Sequence, residues 1–521
     1  MRADKHVEIY DTTLRDGSQG EGISFSVQDK LLITRKLDEK GFAFIEGGWP
    51  GANPKDIAFF EQARKLRLKT AELVAFGSTR RAHTKAAEDM VLKGLVAART
   101  GSITIFGKSW DMHVREVFRI ELDENIRMIE DSVRYLRSKG RRVIFDAEHF
   151  FDGYKANPGY ALKAIGTAYE AGARTIVLCD TNGGSLPTEV RRITQEVARQ
   201  LRCPLGIHAH NDSALAVANS LAAVEGGATH VQGTVNGLGE RCGNADLVPI
   251  IANLELKMER RCLPAGKLKE MTDLSRYVYE VCNLPSAKNQ PYTGQSAFAH
   301  KGGVHINAVM KRPETYEHVT PSKVGNRRRF LVSELGGKTN VMLKAQELSI
   351  KFDKESPEAR RILQAVQERE NQGYQYEAAE ASFELLIREV TGRRKRHFEF
   401  EKVEVSAENI GDKDSSSTAI VVLKVGKKKG VGVATGDGPV NALDKALREA
   451  LEPFYPIVSR VQLEDYKVRV VDSKEGTAAK VRVFIEFSDG REVWTTVGVS
   501  GNIIEASWQA LVDSIEYRLT R

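Results

Sequence analysis

Short apolar runs of strand length alternate with amphipathic segments through the first half of the chain. The runs lie at residues 6–10, 43–46, 71–75, 102–105, 142–145, 174–179, 205–208 and 229–234. Between them, apolar residues recur at helical spacing over residues 27–40, 54–67, 125–139, 158–171, 187–200 and 214–225. This alternation predicts an α/β fold, a (β/α)8 TIM barrel over residues 1–262, with an open doubly wound sheet as the alternative.

Polar side chains at the strand ends favour the barrel over the open sheet. Each lies at or just beyond the C-terminal end of a predicted strand: Asp11, Glu46, Glu148, Asp180, His208, His210 and Asn236. The active sites of barrels are built on this rim, where side chains from several strands converge. An open sheet would instead gather its functional groups at one switch point. We therefore expect the chemistry at the C-terminal rim of a barrel.

The alternation of strands and helices stops at about Leu263. A stretch containing glycine and histidine, residues 295–305, precedes Tyr316 and the turn-like pair Gly336 and Gly337. Helical spacing returns over residues 340–352, 358–371 and 377–391. We interpret residues 263–397 as a helical connector that closes over the mouth of the barrel or over a partner subunit.

Residues 398–521 are predicted to form a C-terminal α+β domain with an internal repeat. Residues 436–447 align with residues 500–511, at an offset of about 64 residues, within an amphipathic helix. Strand-like alternation precedes each helix, at residues 419–425 and 430–434 and at residues 481–487 and 492–499. Two ββα-type units imply clefts between the halves that suit a small effector or a partner chain. A plain dimerisation domain without a ligand is the alternative.

Composition excludes several classes of protein. Of the 521 residues, 41% are hydrophobic and 28% are charged, which is ordinary for folded domains and unlike a disordered, collagenous or membrane chain. The sequence begins without a secretion signal, and no segment approaches the roughly 18 apolar residues of a membrane span, so we expect no membrane partner. The five cysteines form no CxxC pair, which favours a reducing, cytoplasmic compartment over a disulfide framework or a thiolate zinc site.

The net charge of +7 permits an acidic partner. Basic runs occur at residues 327–329, 393–396 and 427–429. These runs lie far apart, are flanked by acids and lack interleaved aromatic residues, unlike a nucleic-acid footprint. We interpret them as solvated surface and expect no nucleic-acid partner.

Two histidines at the end of the seventh predicted strand suggest a metal site. His208 and His210 are two residues apart, so on a strand their imidazoles share one face. Asp16 after the first strand and Asn244 after the eighth add oxygen ligands. Nitrogen and oxygen ligands without a thiolate fit Mg²⁺, Mn²⁺ or a catalytic Zn²⁺ with open positions for substrate. The alternative is a histidine pair that is hydrogen-bonded within the barrel.

Arg15 stands directly before Asp16 in the segment that follows the first strand. A guanidinium beside a metal ligand can bind a carboxylate or a developing oxyanion, which are the groups that a 2-oxo acid presents. In isolation, an Arg-Asp pair is more often a surface ion pair.

Three motifs at strand ends carry a family resemblance. Residues 11–17 (DTTLRDG), 208–212 (HAHND) and 237–244 (GLGERCGN) resemble the isopropylmalate, homocitrate and citramalate synthase family of metal-dependent barrels. Residues 299–316 and the C-terminal repeat extend the resemblance over nearly the whole chain. Residues 46–50 and 371–377 resemble the citramalate branch, in which acetyl-CoA condenses with pyruvate. Trp49 in the first of these segments would narrow the pocket to suit a methyl group if its ring faces the substrate.

The resemblance implies a role for particular residues. The implied ligands of the divalent metal are Asp16, His208, His210 and Asn244, and the implied substrate-binding residues are Arg15, Glu46 and Thr181. The implied catalytic residues are Arg15, His305, Tyr316 and Glu148, with His305 and Glu148 as alternative bases for acetyl-CoA. His305 and Tyr316 would come from the neighbouring subunit, which implies a homodimer. The C-terminal repeat resembles a regulatory domain for the end-product amino acid, which is isoleucine on a citramalate route.

Three other functions remain open from the sequence. An isopropylmalate synthase would share every residue named above and use 2-oxoisovalerate. A lyase on a related metal barrel would share the first motif but would not be expected to carry the C-terminal repeat. A non-catalytic amino-acid sensor would have no physical need to keep the metal ligands beside Arg15.

Overall fold

The computed structural model describes residues 6–50, 53–331, 356–408, 416–471, 479–490 and 492–521. The chain forms two compact units, one of Met1–Phe298 with Val319–Arg327 and the other of Ala299–His318 with Arg328–Arg521. The first unit therefore takes in the start of the predicted connector, because the apolar residues Tyr292, Phe298 and Val324 pack against Ala252 of the barrel. The three-part division at 262/263 and 397/398 stays a prediction.

The first unit is built on a closed barrel of parallel strands, as predicted. The strands are β1 (Glu8–Asp11), β2 (Phe44–Gly48), β3 (Glu72–Ser78), β4 (Ser102–Lys108), β5 (Arg142–Glu148), β6 (Thr175–Asp180), β7 (Leu205–Ala209) and β8 (His230–Gly233). They pair in chain order, and β1 closes the barrel on β8 with Glu8 opposite His230. The closed order excludes the open doubly wound sheet.

Helices surround the barrel in the same unit. They are α1 (Val27–Lys40), α2 (Pro54–Ala63), α3 (Met90–Ala97), α4 (Leu122–Ser138), α5 (Phe150–Ala156), α6 (Pro158–Glu170), α7 (Pro187–Gln200), α8 (Ala216–Glu225), α9 (Leu247–Leu256) and α10 (Met271–Val281). The bounds of α1 and α7 match the prediction. In α1, Ser26 and Asp29 form a capping box and Gly41 ends the helix at φ 89°, so local signals fix both ends.

Two of the helices that the sequence did not predict, α3 and α5, are short. In α3, apolar residues occupy nearly every position, so the helical period that marks an amphipathic helix is weak. In α5, the helix follows β5 after a single residue, His149, whose backbone is left-handed at φ 56°. A π-helical turn at His113–Phe118 precedes α4.

The second unit begins with a small sheet and a short helix. Strand β9 (Ala299–His300) pairs with β10 (Arg329–Phe330), and α11 (Gly303–Lys311) lies between them in the chain. Helices α12 (Pro357–Asn371) and α13 (Glu380–Val390) confirm two of the predicted connector helices. The helix predicted at residues 340–352 and the turn at Gly336 and Gly337 lie outside the described residues.

The C-terminal repeat is present, and each copy has one strand more than predicted. The first copy is β11 (Glu399–Glu408), β12 (Ser416–Val425), β13 (Lys428–Gly436) and α14 (Pro439–Leu451). The second copy is β14 (Gln462–Val470), β15 (Val481–Ser488), β16 (Val493–Ser500) and α15 (Ile503–Thr520). Each copy forms a three-stranded antiparallel sheet. The extra strands β11 and β14 are mostly exposed, so no buried apolar face marks them in the sequence.

No helix in the described part of the chain has the length and apolar character that crossing a membrane requires.

Candidate active site

Arg15 is fixed at the rim of the barrel by a buried carboxylate. The backbone N–H groups of Asp16 and Gly17 both donate to the Thr12 carbonyl, at 2.9 and 3.1 Å, so the chain turns directly after β1. Arg15 Nε donates to Glu46 Oε1 at 2.5 Å, and the guanidinium lies 3.8 Å from the centre of the Phe76 ring. Glu46 also accepts hydrogen bonds from the hydroxyls of Tyr10 and Thr12, at 2.5 and 2.7 Å. Glu46 therefore orients the side chain of Arg15, and its predicted contact with the substrate stays a prediction.

Asp16, His208 and His210 converge at the end of the barrel, as the sequence predicts. Each offers one ligand atom, and these atoms lie within 4.8 Å of one another. His208 Nε2 is 3.3 Å from Asp16 Oδ2 and 3.4 Å from His210 Nε2. When two ligand atoms each lie about 2.1 Å from one ion and the ligand–ion–ligand angle is about 90–110°, the two atoms are about 3.0–3.4 Å apart. The observed separations therefore suit a shared divalent ion.

Asn244 presents an unused oxygen beside this cluster. His210 and Asn244 form an isolated antiparallel bridge, and Asn211 N donates to the Gly243 carbonyl at 2.9 Å. The Asn244 amide nitrogen donates to the Leu238 carbonyl at 3.2 Å, so its Oδ1 is directed elsewhere. Within the part of the chain that is described, Oδ1 is buried and accepts no hydrogen bond. Because an orphaned buried acceptor is costly, this oxygen fits the fourth metal ligand that the sequence predicts.

The electrostatics of the cluster favour a cation. Burial works against the charge of Asp16, but Arg15 and the hydrogen bond of His208 outweigh it and hold the pKa of this carboxyl well below its usual range. Burial and the neighbouring His208 lower the pKa of His210 to about 3. At neutral pH Asp16 is therefore a carboxylate and His210 a neutral imidazole, which are the forms of these side chains that bind metals. Burial works to lower the pKa of His208, but its hydrogen bond to Asp16 and the charge of Asp16 raise it, so a metal ion would displace the proton between His208 Nε2 and Asp16.

Two glycines allow the loop after β8 to bring Asn244 into place. Gly243 has φ +90°, and a Cβ built there would lie 2.0 Å from the Gly237 carbonyl oxygen. A Cβ on Gly239 would lie 2.1 Å from the amide nitrogen of Asn244 itself. A side chain at Gly243 would displace the backbone and one at Gly239 would displace the Asn244 side chain, so the spacing of the GLGERCGN motif has a steric cause.

Thr181 and Glu148 lie at strand ends with defined partners. Thr181 Oγ1 accepts a hydrogen bond from the His149 backbone at 2.9 Å, so the hydroxyl proton of Thr181 is free to be donated elsewhere. Glu148 forms an ion pair with Lys108, which stands opposite it in the register of β4 and β5. The ion pair engages Oε2 of Glu148, and the second carboxylate oxygen has lone pairs of its own.

His305 and Tyr316 lie side by side in the second unit. Their rings are nearly parallel, with centroids 4.1 Å apart and planes 25° apart. His305 is exposed on α11, and Tyr316 is 46% exposed. The pairing of the two residues therefore agrees with the resemblance, while their catalytic roles stay proposals.

The other polar residues of the rim have structural partners. Asp180 accepts a hydrogen bond from Ser185 at 2.9 Å, and Asn236 exchanges hydrogen bonds of 2.9 and 2.6 Å with Ser275 of α10. Sequence reasoning missed Arg241, which donates to both oxygens of Asp212 and to the Thr181 carbonyl. Arg241 thereby joins the loops after β6, β7 and β8. Arg241 and Asp212 belong to the GLGERCGN and HAHND motifs, but the motifs do not show that the two side chains meet.

An aromatic cluster stands next to Arg15. The Trp49 ring packs edge-on against Phe76 and Phe106, at centroid distances of 5.9 and 5.7 Å, and Phe76 stacks on Phe106 at 5.6 Å. The indole Nε1 of Trp49 is buried and has no hydrogen-bond partner among the described residues. Trp49, Phe76 and Phe106 thus form an aromatic wall next to the Arg15 guanidinium.

Three family models together match nearly the whole chain. Residues 6–278 match the HMGL-like model, residues 292–373 the homocitrate synthase post-HMGL domain-like model, and residues 377–519 the LeuA allosteric (dimerisation) domain model. The HMGL-like match covers the barrel and the cluster of Asp16, His208 and His210. The LeuA match covers α13 and both copies of the repeat.

Full-length relatives carry two enzyme names. The (R)-citramalate synthase of Geobacter sulfurreducens is 54% identical over 514 residues, which cover 98% of this chain and 97% of the relative. The (R)-citramalate synthase of Aquifex aeolicus is 52% identical, with 99% and 98% covered. A probable 2-isopropylmalate synthase of Methanopyrus kandleri is 33% identical, with 99% and 98% covered. The chain therefore belongs to the HMGL-like family, in the group that contains the (R)-citramalate synthases and the 2-isopropylmalate synthases.

Proposed function

We propose that this chain is an (R)-citramalate synthase, an acyltransferase that condenses acetyl-CoA with pyruvate and releases CoA. The observation that carries the proposal is identity over the full length, which is much higher to citramalate synthases than to a 2-isopropylmalate synthase. The cluster of Asp16, His208 and His210 beside Arg15 supports chemistry on a 2-oxo acid. The reaction would be the first step of a threonine-independent route to isoleucine.

The residues of the barrel would bind and orient the 2-oxo acid. Asp16, His208, His210 and Asn244 would hold Mg²⁺, Mn²⁺ or Zn²⁺, and the chemistry that such an ion supplies there is polarisation of the ketone. Arg15, oriented by Glu46, would donate hydrogen bonds to the ketone oxygen as it becomes an alkoxide. Thr181 would donate its hydroxyl proton to the substrate carboxylate.

A base must remove a proton from the methyl group of acetyl-CoA. We assign this step to His305, which stacks on Tyr316, on the ground of the family resemblance, with Glu148 as the alternative base. The resulting carbanion attacks the ketone carbon of pyruvate, a carbon–carbon bond forms, and the ketone oxygen takes up a proton. Water then cleaves the thioester, which gives the second carboxylate and free CoA.

The assignment of His305 requires a homodimer in which each subunit completes the site of the other. Support comes from apolar side chains left exposed on the two C-terminal sheets, among them Val431, Val433, Leu463, Val470 and Val493. Val431 and Val433 are two residues apart on β13 and so share one face, and exposed apolar faces of this kind can form interaction sites. The match to the LeuA allosteric (dimerisation) domain supports the same proposal. A reducing, cytoplasmic location is proposed from the five free cysteines.

Isoleucine is proposed as the allosteric inhibitor, and a cavity in the second unit supports this. The cavity of about 530 Å³ is lined by α13, α15 and the segment between α13 and β11. One part of the cavity lining carries both signs of charge, since Arg394 donates a hydrogen bond to Asp513 at 3.1 Å. Another part of the lining, at Phe400 and Val512, is apolar. Among the described residues, Arg394 Nε and Trp508 Nε1 are buried donors without acceptors. A small zwitterion with an apolar side chain suits these groups.

Isoleucine is expected to inhibit the native protein. Arg394→Ala is expected to raise the half-inhibitory concentration of isoleucine at least tenfold, because losing about 1.4 kcal/mol of binding free energy weakens binding by a factor of ten. Turnover without isoleucine should change little. Arg388→Ala is the matched control, since Arg388 pairs with Glu384 and does not line the cavity. Steady-state rates over an isoleucine series measure the effect. Equal inhibition of Arg394→Ala and native protein would remove the cavity from the proposal.

The main proposal is tested by release of CoA thiol from acetyl-CoA with a panel of 2-oxo acids. We expect pyruvate to give a kcat/KM at least 100-fold above that of 2-oxoisovalerate. The larger acid adds two methyl groups that the aromatic wall would have to accommodate, and each methyl group that does not fit costs about 1–3 kcal/mol. A preference for 2-oxoisovalerate would assign the chain to the 2-isopropylmalate synthases. No thiol release with any 2-oxo acid would instead favour a non-catalytic sensor.

A further inference from the structure

A buried chain of hydrogen bonds leads away from the metal cluster through the interior of the barrel. His208 Nδ1 lies 2.9 Å from Gln232 Oε1, and Gln232 Nε2 donates to Asp146 Oδ1 at 3.1 Å. The exposed fractions of His208, Gln232 and Asp146 are 6%, 0% and 4%. The three residues come from β7, β8 and β5, so the chain connects non-adjacent strands across the barrel.

The strand register places Gln232 where it can act on His208. These two residues are direct partners in the pairing of β7 with β8, so their side chains leave the sheet on the same face. A glutamine amide has an oxygen that accepts hydrogen bonds and an NH2 group that donates two. Either end could be turned toward the imidazole. In the structure the amide nitrogen donates to Asp146 Oδ1, and this leaves Oε1 to face His208.

The orientation of the amide determines which nitrogen of His208 carries the proton. Oε1 has no hydrogen to donate, so the contact of 2.9 Å is a hydrogen bond only if Nδ1 carries the proton. When a metal ion displaces the proton that Nε2 shares with Asp16, the lone pair of the neutral imidazole resides on Nε2. Nε2 is the atom that lies 3.3 Å from Asp16 Oδ2 and 3.4 Å from His210 Nε2.

We propose that Gln232, oriented by Asp146, is a positioning residue that fixes His208 in the Nδ1–H tautomer and so sets the affinity of the Asp16, His208 and His210 cluster for a divalent cation. The inference rests on the proposed function only in taking these residues as metal ligands. Gln232 touches neither substrate nor ion in this role. Partners of this kind orient a ligating histidine and raise its basicity, and their loss usually weakens metal binding about 10–100-fold.

The test is direct binding of Mn²⁺ to the full-length, metal-depleted protein, followed by the electron paramagnetic resonance signal of free Mn²⁺. Gln232→Met, which keeps the length of the side chain and removes both polar ends, is expected to raise the Mn²⁺ Kd about 10–100-fold. Gln232→Glu keeps an acceptor for Nδ1–H and is expected to stay within about threefold of the native Kd. Thr104→Val is the matched control, because it removes a buried hydroxyl bonded to Tyr10 in the same barrel without touching His208.

A second measurement separates positioning from a general loss of structure. At saturating Mn²⁺, the kcat of Gln232→Met should recover to within about fivefold of native, while the Mn²⁺ concentration for half activation rises with the Kd. If Gln232→Met does not fold, Asp146→Ala removes the acceptor that orients the amide and is expected to weaken Mn²⁺ binding at least about fivefold. A native Kd in Gln232→Met, or in Asp146→Ala where that variant replaces it, would overturn the inference. Absence of Mn²⁺ binding by the native protein would instead overturn the proposed metal site.

Discussion

Replacement of Arg15 by alanine is expected to lower kcat with pyruvate by about 10²–10³-fold at saturating metal, the loss seen when one donor to a developing oxyanion is removed. Arg15 is the fixed cation of the site: Glu46 holds its Nε at 2.5 Å, and the ring of Phe76 supports the guanidinium at 3.8 Å. Burial alone would lower the pKa of Arg15, but Asp16 and Glu46 raise it, so the group stays charged. Steady-state rates of CoA release measure the effect.

Arg15→Lys separates charge from geometry in the same experiment. A lysine keeps the positive charge but lacks the planar fork that bonds Glu46 and a substrate oxygen together, so we expect it to recover less than a tenth of the lost rate. The Mn²⁺ Kd of both variants should stay within about tenfold of native, since Arg15 is not a metal ligand in the proposed site. An Arg15→Ala enzyme that retains more than a tenth of native kcat would remove Arg15 from the mechanism.

Asp16→Asn is expected to abolish activity by preventing metal binding. The substitution keeps the shape of the side chain but removes the carboxylate charge that lies 3.3 Å from His208 Nε2. We expect the Mn²⁺ Kd to rise more than about 100-fold, because even the loss of a residue that only supports a metal ligand costs about 10–100-fold. Chelation of the native protein should abolish activity in the same way, and added Mn²⁺ or Mg²⁺ should restore it.

Asp212→Asn is the matched control for Asp16→Asn. Asp212 lies two residues after His210 but is bonded to Arg241 outside the cluster. Its loss should leave the Mn²⁺ Kd within about threefold of native. If Asp16→Asn bound Mn²⁺ as the native protein does, Asp16 would be excluded as a ligand.

The barrel and the convergence of the candidate metal ligands could be predicted because both depend on where the strands lie in the sequence. A parallel strand buried on both faces is a short apolar run, and the ends of such runs meet at one rim, so Asp16, His208 and Asn244 had to lie near one another once the barrel was recognised. The ends of α1 could be read from Ser26 and Gly41 for the same reason, since capping depends on neighbouring residues.

The contacts that orient the ligands could not be predicted, because they join distant parts of the chain. Gln232 sits within a strand of otherwise ordinary pattern, and its partners His208 and Asp146 are 24 and 86 residues away in sequence. The pairing of Lys108 with Glu148 depends on the register at the C-terminal ends of β4 and β5. The predicted strands end before these two residues. The strands β11 and β14 were not predicted, because their side chains are largely exposed on both faces.

The most direct test of the central claim is a competition between two 2-oxo acids. Equal concentrations of pyruvate and 2-oxoisovalerate, supplied together with limiting acetyl-CoA, give products whose ratio equals the ratio of the two kcat/KM values, and mass spectrometry measures that ratio. We predict citramalate in at least 100-fold excess over 2-isopropylmalate, in line with about 1–3 kcal/mol for each misfitted methyl group. An excess of 2-isopropylmalate would contradict the proposed function.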